Sequence, residues 1–414
     1  MPTTPPPELA PYLTPDHHRL WHEADAFTAE YLAPRVRTME AAPYKVERKA
    51  AQLMAERGWF GVTIPTQYGG MAAGHVAKTV LIHRTGVVSA AVAAILQASL
   101  IPNGAVQHWG TAEQKAQWLP QAAAGKVLLS IAVTEPKRGG HIGGIETTAD
   151  RDGDGWVITG SKAHIGNSHL AGLHVVIART APPGVSASQA LTAFLVEHDR
   201  KGLTVRPHRP GLGLHGFTVG RLDLDRVRIP AANVLGDVGQ GLFVAQSASI
   251  LYGRANLAAV SLGIHEALVE MTARWLSHRE RYDGQLSDLP VLRDRLGGMQ
   301  NRLQLARNAA YQAVHLLDLG VPCDAQLIGA KNAGHELAAD SMRDAMELHS
   351  AYGLDGDYSL QRLYRDLPYG YAPAGTGEFQ RIHLAKTALG EMDIEWSQRL
   401  AAELSWTSPD PTPA

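Results

Sequence analysis

Between Ser130 and Ser168 the chain reads SIAVTEPKRGGHIGGIETTADRDGDGWVITGSKAHIGNS. Four glycines (Gly139, Gly140, Gly143 and Gly144) follow a Thr-Glu-Pro turn. Glycines let a backbone come close to a flat or charged ligand. These follow a strand but open no obvious helix, so the strand–GxGxxG–helix fingerprint of a dinucleotide fold is not met. Asp-Gly-Asp-Gly between Thr-Thr-Ala and Trp156-Val157-Ile158-Thr159 predicts a hairpin. Farther on, Arg279-Glu280-Arg281-Tyr282 is a charge run at a helix end. The 19 histidines include no HExxH pair. The single cysteine, Cys323, supports neither an intramolecular disulfide nor a Cys-based metal centre. No metal is expected.

The elements that must position these residues fall into three blocks. A length of 414 residues is a prior for two or three domains. With 38 basic and 40 acidic side chains, nothing points to a nucleic-acid partner or an anionic membrane. The lone cysteine fits a reducing, cytoplasmic setting, and no stretch of about 18 apolar residues is read, so a soluble protein is expected. Residues 1–12 are Pro/Thr-rich and read as a loose tail. Residues 13–127 read as helical: Asp16 as a cap, apolar spacing through Leu20, Ala24 and Phe27, helices at 46–58, 76–88 and 90–100, a new segment from Pro102, and Thr111 as a cap. Residues 128–238 are strand-rich, with strands at 173–179, 191–198, 203–206 and 221–229. A phase shift at Asp225-Arg226 predicts a bulge in the last of these. Residues 239–404 return to helical spacing. One stripe runs Leu257, Val260, Ile264, Leu268, Met271 and Trp275; another runs from Leu292 to Leu317. A last helix spans 378–404, before a Pro-rich tail at 405–414. Segregated helices, strands and helices predict an α+β fold: an N-terminal helical domain, a central β-barrel or sandwich, and a C-terminal four-helix bundle.

AVTEP, a Gly-rich loop, TTA, a Gly-Asp turn and GxKxxIxN, in that order, resemble the flavin-binding β-domain of the acyl-CoA dehydrogenase family. LMAERGWFGVTIPTQYGG and GTAEQKAQWLPQAAAGK resemble its N-terminal helical domain. The run from Arg279 to Leu286 resembles the family's R-x-x-F-G-x-x-L, with Tyr282 for Phe and Asp283 for Gly. Glu347-Leu-His-Ser-Ala-Tyr-Gly353 resembles Q-x-x-G-G-x-G, with Glu347 for the amide and Ala351 for one glycine. Gly375-Thr376-Gly377-Glu378-Phe379-Gln380-Arg381 resembles G-T-x-x-x-Q-R. The likeness covers about residues 13–403. It implies FAD as cofactor, held by Val133, Thr134, Gly139, Gly140, His164, Gly166, Arg279, Tyr282, Glu347, Ala351, Thr376 and Glu378. It implies an acyl thioester as substrate, on CoA or an acyl carrier protein, near Arg254 and Gly375. In the family the arginine at position 279 pairs with the pyrophosphate of a neighbouring subunit, a role that suits a bidentate guanidinium. A homodimer or homotetramer is therefore expected.

The departures lie in the chemistry. The family removes an α-proton with a glutamate while hydride leaves for the flavin. Most members place that glutamate just before the Gly-Thr pair, where this chain has Ala374. A minority place it before an arginine, where this chain has Gly253, followed by Arg254. The family's Ser-Asp after the Gly loop is Gly140-His141, its flavin-packing Trp is His164, and the Thr that bonds flavin N5 is Gly166. His141 and His164 are replacement acid/base candidates because imidazole titrates near neutrality; Tyr371 is a third. Three functions are compatible. The first is oxidation of an unusual acyl thioester in a biosynthetic pathway, with a non-standard base. The second is a flavin-dependent oxygenase or oxidase. The third is a redox-neutral enzyme or scaffold on a repurposed cofactor site.

Overall fold

The computed structural model describes residues 4–182, 184–281, 283–391 and 396–398; Tyr282 lies outside them. The first block holds helices α1 (Pro15–Phe27), α2 (Ala33–Ala41), α3 (Arg48–Glu56), α4 (Gly74–Val88), α5 (Ala90–Trp109) and α6 (Ala112–Ala123). The cap of α1 is Thr14 rather than the Asp16 expected from the sequence. The His17 N–H donates to Thr14 Oγ1, and the Thr14 N–H donates to His17 Nδ1, which closes a capping box with Pro15 in the first turn. Thr111 caps α6 as expected. Residues 1–12 are not all loose: Pro7–Leu9 form a 3-10 turn, and Leu9 is fully buried.

Helix α5 runs straight through Pro102, where a break was expected. A proline inside a helix removes one hydrogen bond and crowds the preceding turn. Just before it, the amide of Asn167 donates to Ile95 O (2.7 Å) and the amide of Asn256 donates to Gln97 O (3.0 Å), so side chains from two other blocks anchor the helix on its approach to the proline. The helix is long and apolar enough to cross a membrane, which the sequence reading did not anticipate, but 94% of its most apolar window is buried inside the protein.

The central block carries strands β1 (Leu128–Ala132), β2 (Thr148–Asp152), β3 (Gly155–Gly166), β4 (Ala171–Arg179), β5 (Leu191–Glu197), β6 (Leu203–Val205), β7 (Val219–Ile229) and β8 (Val234–Leu235), with a short α7 (Ala187–Ala190). They form one mixed sheet in the order β6-β7-β3-β2-β4-β5-β8, with β1 parallel to β4. β2 meets β4 at a single register position, Thr148 opposite Arg179. The sheet folds over there, so Trp156, Ile158, Leu222 and Val227 pack against Val176, Phe194 and Val196. The other face of β1, β4 and β5 packs on Val106, Leu119 and Val244 from the helices. The bulge in β7 is present. Ile158 pairs with Val227 but Gly160 with Leu224, and Arg226 takes φ +52°.

The last block contains α8 (Gly241–Ala248), α9 (Ala255–His278), α10 (Pro290–Asp318), α11 (Asp324–His349), α12 (Leu360–Asp366) and α13 (Gly377–Ala388); Glu280–Arg281 and Gly284–Gln285 pair as a small hairpin after α9. Helices α9, α10 and α11 pack together with α4, and α13 lies on α11. Helix α13 ends at Ala388, short of the expected span, and residues 396–398 are helical again; residues 392–395 and 399–404 lie outside the described residues. A buried ionic cluster ties α1, α4, α9 and α10 together. Glu266 accepts from Arg84, Arg307 and His83, and Arg84 also pairs with Asp25.

Candidate active site

The β-domain side of the site is built around two buried charges. Lys162 Nζ donates to Val133 O (3.0 Å) and to Glu135 Oε1 (2.9 Å). Glu135 also accepts the N–H groups of Glu146 (2.7 Å) and Thr147 (2.9 Å). One carboxylate thus closes the neck of the Gly-rich loop. Burial pushes the Lys162 ammonium down to about 8, against the stabilising pull of Glu135. Thr134 O accepts the Ala163 N–H, which fixes the end of β1 beside β3. At the loop tip, a side chain added to Gly139 or Gly140 would meet nothing within 4 Å, so bare backbone faces open space. His141 folds back on its own loop, close to Gly144.

His164 sits at an irregularity in the β3–β7 pairing, with φ +58° and an exposed side chain. Among the described residues, no hydrogen bond or ring contact joins His141 or His164 to each other or to the 371–375 loop. Gly166 points inward. A Cβ there would lie 3.0 Å from Phe217 Cζ and 3.3 Å from the Ala98 Cβ on α5. Phe217 is 3% exposed and packs edge-on against Tyr369, whose hydroxyl accepts from Gln97 Nε2 (2.9 Å). The space toward which a residue-166 side chain would project is filled by an aromatic ring.

The two positions where a base was sought converge. Between α8 and α9 the helix widens into a π turn, Ser249–Arg254, a local form frequent at functional sites. A Cβ at Gly253 would lie 3.4 Å from the Ala374 Cβ and 3.7 Å from Ile101 Cδ1. Neither position carries a carboxylate. Ala374 and Gly375 both take left-handed backbone, φ +57° and +95°. Such a pair is strained for alanine and needs outside support. Lys331 on α11 supplies part of it, donating to Tyr371 O (3.0 Å) and Gly375 O (2.5 Å). Gln380 Nε2 adds bonds to Ala374 O (2.9 Å) and Gly375 O (3.0 Å). Burial, then the charge of Arg254, push Lys331 down to about 7. Arg254 is only 5% exposed, and its buried Nε has no hydrogen-bond partner among the described residues.

The Tyr371 hydroxyl donates to Glu378 Oε2 (2.9 Å) in the first turn of α13. Both line a cleft of about 300 Å³ with Lys331, His335 and Arg381. Thr376 holds the N-cap position of α13.

A third group lies at the far end of the helices. Arg279 donates to the Tyr352 hydroxyl (3.0 Å) and lies over the rings of Tyr352 (4.7 Å) and Trp275 (5.2 Å). Glu347 pairs with Arg295 (2.6 Å), which also binds Asp344. Ala351 is exposed beside Tyr352. Helix α9 separates this group from Arg254; its 24 residues rise about 36 Å. Phe217, Tyr369, Gln97, Lys331 and Gln380 were not singled out from the sequence. Gln380 alone stood inside a recognised motif, and its neighbour Ala374 was the available signal.

Family models for the acyl-CoA dehydrogenase N-terminal, middle and C-terminal domains match residues 14–126, 130–227 and 239–389. An acyl-CoA dehydrogenase of Bacillus subtilis (strain 168) is 32% identical over 368 residues, which is 88% of this chain and 95% of that one. The butyryl-CoA dehydrogenase structure from Megasphaera elsdenii aligns with TM-score 0.87 at 25% identity, covering 91% of this chain and 99% of that one. The structure of the prolyl acyl carrier protein oxidase AnaB aligns with TM-score 0.84, also at 25% identity, with coverage of 91% and 99%. Matched from its first helices to its last, the chain belongs to the acyl-CoA dehydrogenase family of oxidoreductases.

Proposed function

We propose that this chain is an FAD-dependent oxidoreductase of an unusual acyl thioester, whose reaction does not use a carboxylate of the protein as α-proton base. The observation that carries this is the approach of positions 253 and 374: a Cβ on Gly253 would touch that of Ala374, with Ile101 and the Ser249 hydroxyl beside it, so the two base positions are one place and neither residue supplies a carboxylate. The residues present fit a flavin dinucleotide. Gly139 and Gly140 offer unobstructed backbone, Arg279 is braced flat for a phosphate, and Arg295 neutralises Glu347, which would otherwise repel one. When bound, the flavin would supply the hydride acceptor. Val133, Thr134, His164 and Gly166 would face its ring, and Thr376 and Glu378 would approach it from the N-terminus of α13. Lys331 and Gln380 hold the carbonyls of residues 371, 374 and 375 back, which keeps the loop's backbone fixed although its side chain is gone.

The roughly 36 Å between Arg254 and Arg279 supports a homodimer or homotetramer, with the far group of one copy completing the site of another. The likeness to AnaB, named as a prolyl acyl carrier protein oxidase, supports a carrier-protein handle; a biosynthetic role in the cytoplasm is proposed with it. A second reading, an oxygenase or oxidase, is favoured by one feature: Phe217 stands where a residue-166 hydroxyl would be, and donors beside a flavin tune its reactivity.

The test is anaerobic titration of the flavin-loaded protein with acyl thioesters. Bleaching of the flavin without added reductant is the expected result. Bleached flavin that oxygen rapidly reoxidises would favour an oxidase, product formation only with reduced flavin and oxygen would favour an oxygenase, and a protein that takes up no FAD would refute both readings.

A further inference from the structure

Beyond α13 the chain returns to the helices beside positions 253 and 374. Both oxygens of the Asp324 carboxylate, in the first turn of α11, accept from the returning segment: Oδ2 from the Trp396 N–H (2.8 Å), Oδ1 from the Ser397 N–H (3.0 Å) and from the Ser397 hydroxyl (2.7 Å). The same hydroxyl oxygen accepts from the Cys323 N–H (2.9 Å). Cys323 holds the N-cap position of α11, and cysteine is not among the residue types that favour it; a serine 74 positions away supplies the cap oxygen. The Trp396 ring centroid lies 5.7 Å from that of Phe243 on α8. Helix α8 runs on into the π turn that ends at Arg254, and α11 packs along that turn. One short segment therefore ties α8 to α11 beside the turn that carries Arg254.

Asp324 also connects this segment to the site by charge. Burial pushes the Arg254 guanidinium down to about 10, and the Asp324 carboxylate pulls it back up. Asp324, Ser397 and Arg254 are 4%, 2% and 5% exposed, so little water screens the charges. A carboxylate in so dry a place needs donors on its oxygens to stay ionised, and three come from residues 396 and 397. We propose that Ser397 and Asp324 are positioning residues that act through Arg254: residues 396 and 397 fix the Asp324 carboxylate, and its field holds the Arg254 guanidinium in register with the acyl thioester. The assignment rests on the acyl-thioester reading above, which places Arg254 beside the substrate. It makes substrate binding and the docking of residues 396 and 397 one linked equilibrium, each tightening the other by the same factor.

The probe is butanoyl phosphopantetheine thioester, titrated into the flavin-loaded protein by isothermal calorimetry, which needs no turnover. Ser397→Ala removes the acceptor for Cys323 and one donor to Asp324, and weakens binding at least about fivefold; Ser397→Thr, which keeps the hydroxyl, stays within about twofold of the native protein. In an Arg254→Met background the same Ser397→Ala change alters binding by less than about twofold, whereas a merely structural role gives equal losses in both backgrounds. A second measurement needs no variant. The N–H groups of Cys323, Trp396 and Ser397 bond across the junction, and in the native protein saturating probe slows their exchange with deuterated solvent at least about fivefold, as read by mass spectrometry. No loss in Ser397→Ala, equal losses in the two backgrounds, or exchange that the probe leaves unchanged overturns the positioning role and leaves the thioester reading standing. Failure of the native protein to bind the probe overturns both.

Discussion

Gly166 and Phe217 form a size-exchanged pair, and their energetics are testable directly. Gly166→Thr alone forces a Cβ to 3.0 Å from the Phe217 ring and is expected to destabilise by roughly 1–3 kcal/mol. Combined with Phe217→Ala, which opens the space, the cost falls short of the sum of the single changes by at least about 0.5 kcal/mol, as read in thermal melts of all four proteins. Restoring the acid is the complementary experiment. In Ala374→Glu the carboxylate reaches the Gly253 side, and the variant gains α-proton exchange of a simple acyl thioester in deuterated buffer; no gain would show that the volume is closed to that side chain. At this scale the absences were legible, because Ala374, Gly253 and Gly166 stand at fixed places in motifs. What filled or supported them was not. Phe217 and Gly166 meet across the fold, and Lys331 reaches Gly375 from 44 positions away, so no local spacing announces either contact.

Among the elements, the neck of the Gly-rich loop depends on one buried pair. Lys162→Met strands the Glu135 carboxylate among backbone donors and is expected to lose about 3–5 kcal/mol in denaturant titration. The helical core carries a pH dependence of its own. Burial pushes the His83 imidazole down to about 4, against the pull of Glu266 and with the repulsion of Arg84 and Arg307. Its folded value lies below the ordinary 6.5, so the unfolded chain binds more protons between those limits, and stability falls as pH drops from about 6.5 towards 4. His108, His174 and His265, each buried and pushed down to about 3, act in the same direction. His83→Gln removes one share, flattening the stability–pH curve in that window by about 1.4 kcal/mol per pH unit of its range. Helix stripes, strand runs and the β7 bulge were legible because each is written in local periodicity. The passage of α5 through Pro102 was not, since the amides of Asn167 and Asn256 that anchor the helix ahead of it come from the strand and helical blocks that follow.

For the whole molecule, the order helices, strands, helices was readable from composition and period alone. The packing of α4 with α9 and α10 was not, because it joins the two helical blocks across the intervening sheet sequence. If a second copy completes the site, sedimentation analysis gives a dimer or tetramer at working concentration. Arg279→Ala then loosens retained flavin about tenfold or more without lowering the assembly's mass. A monomer that holds flavin tightly would contradict the shared site.

The touching of positions 253 and 374 has an evolutionary corollary. Glycine and alanine codons ending in a purine each become a glutamate codon by changing their middle base. Whichever of the two were altered, the new acid would enter the same small space, so from such codons a proton acceptor is one base change away at either of two positions.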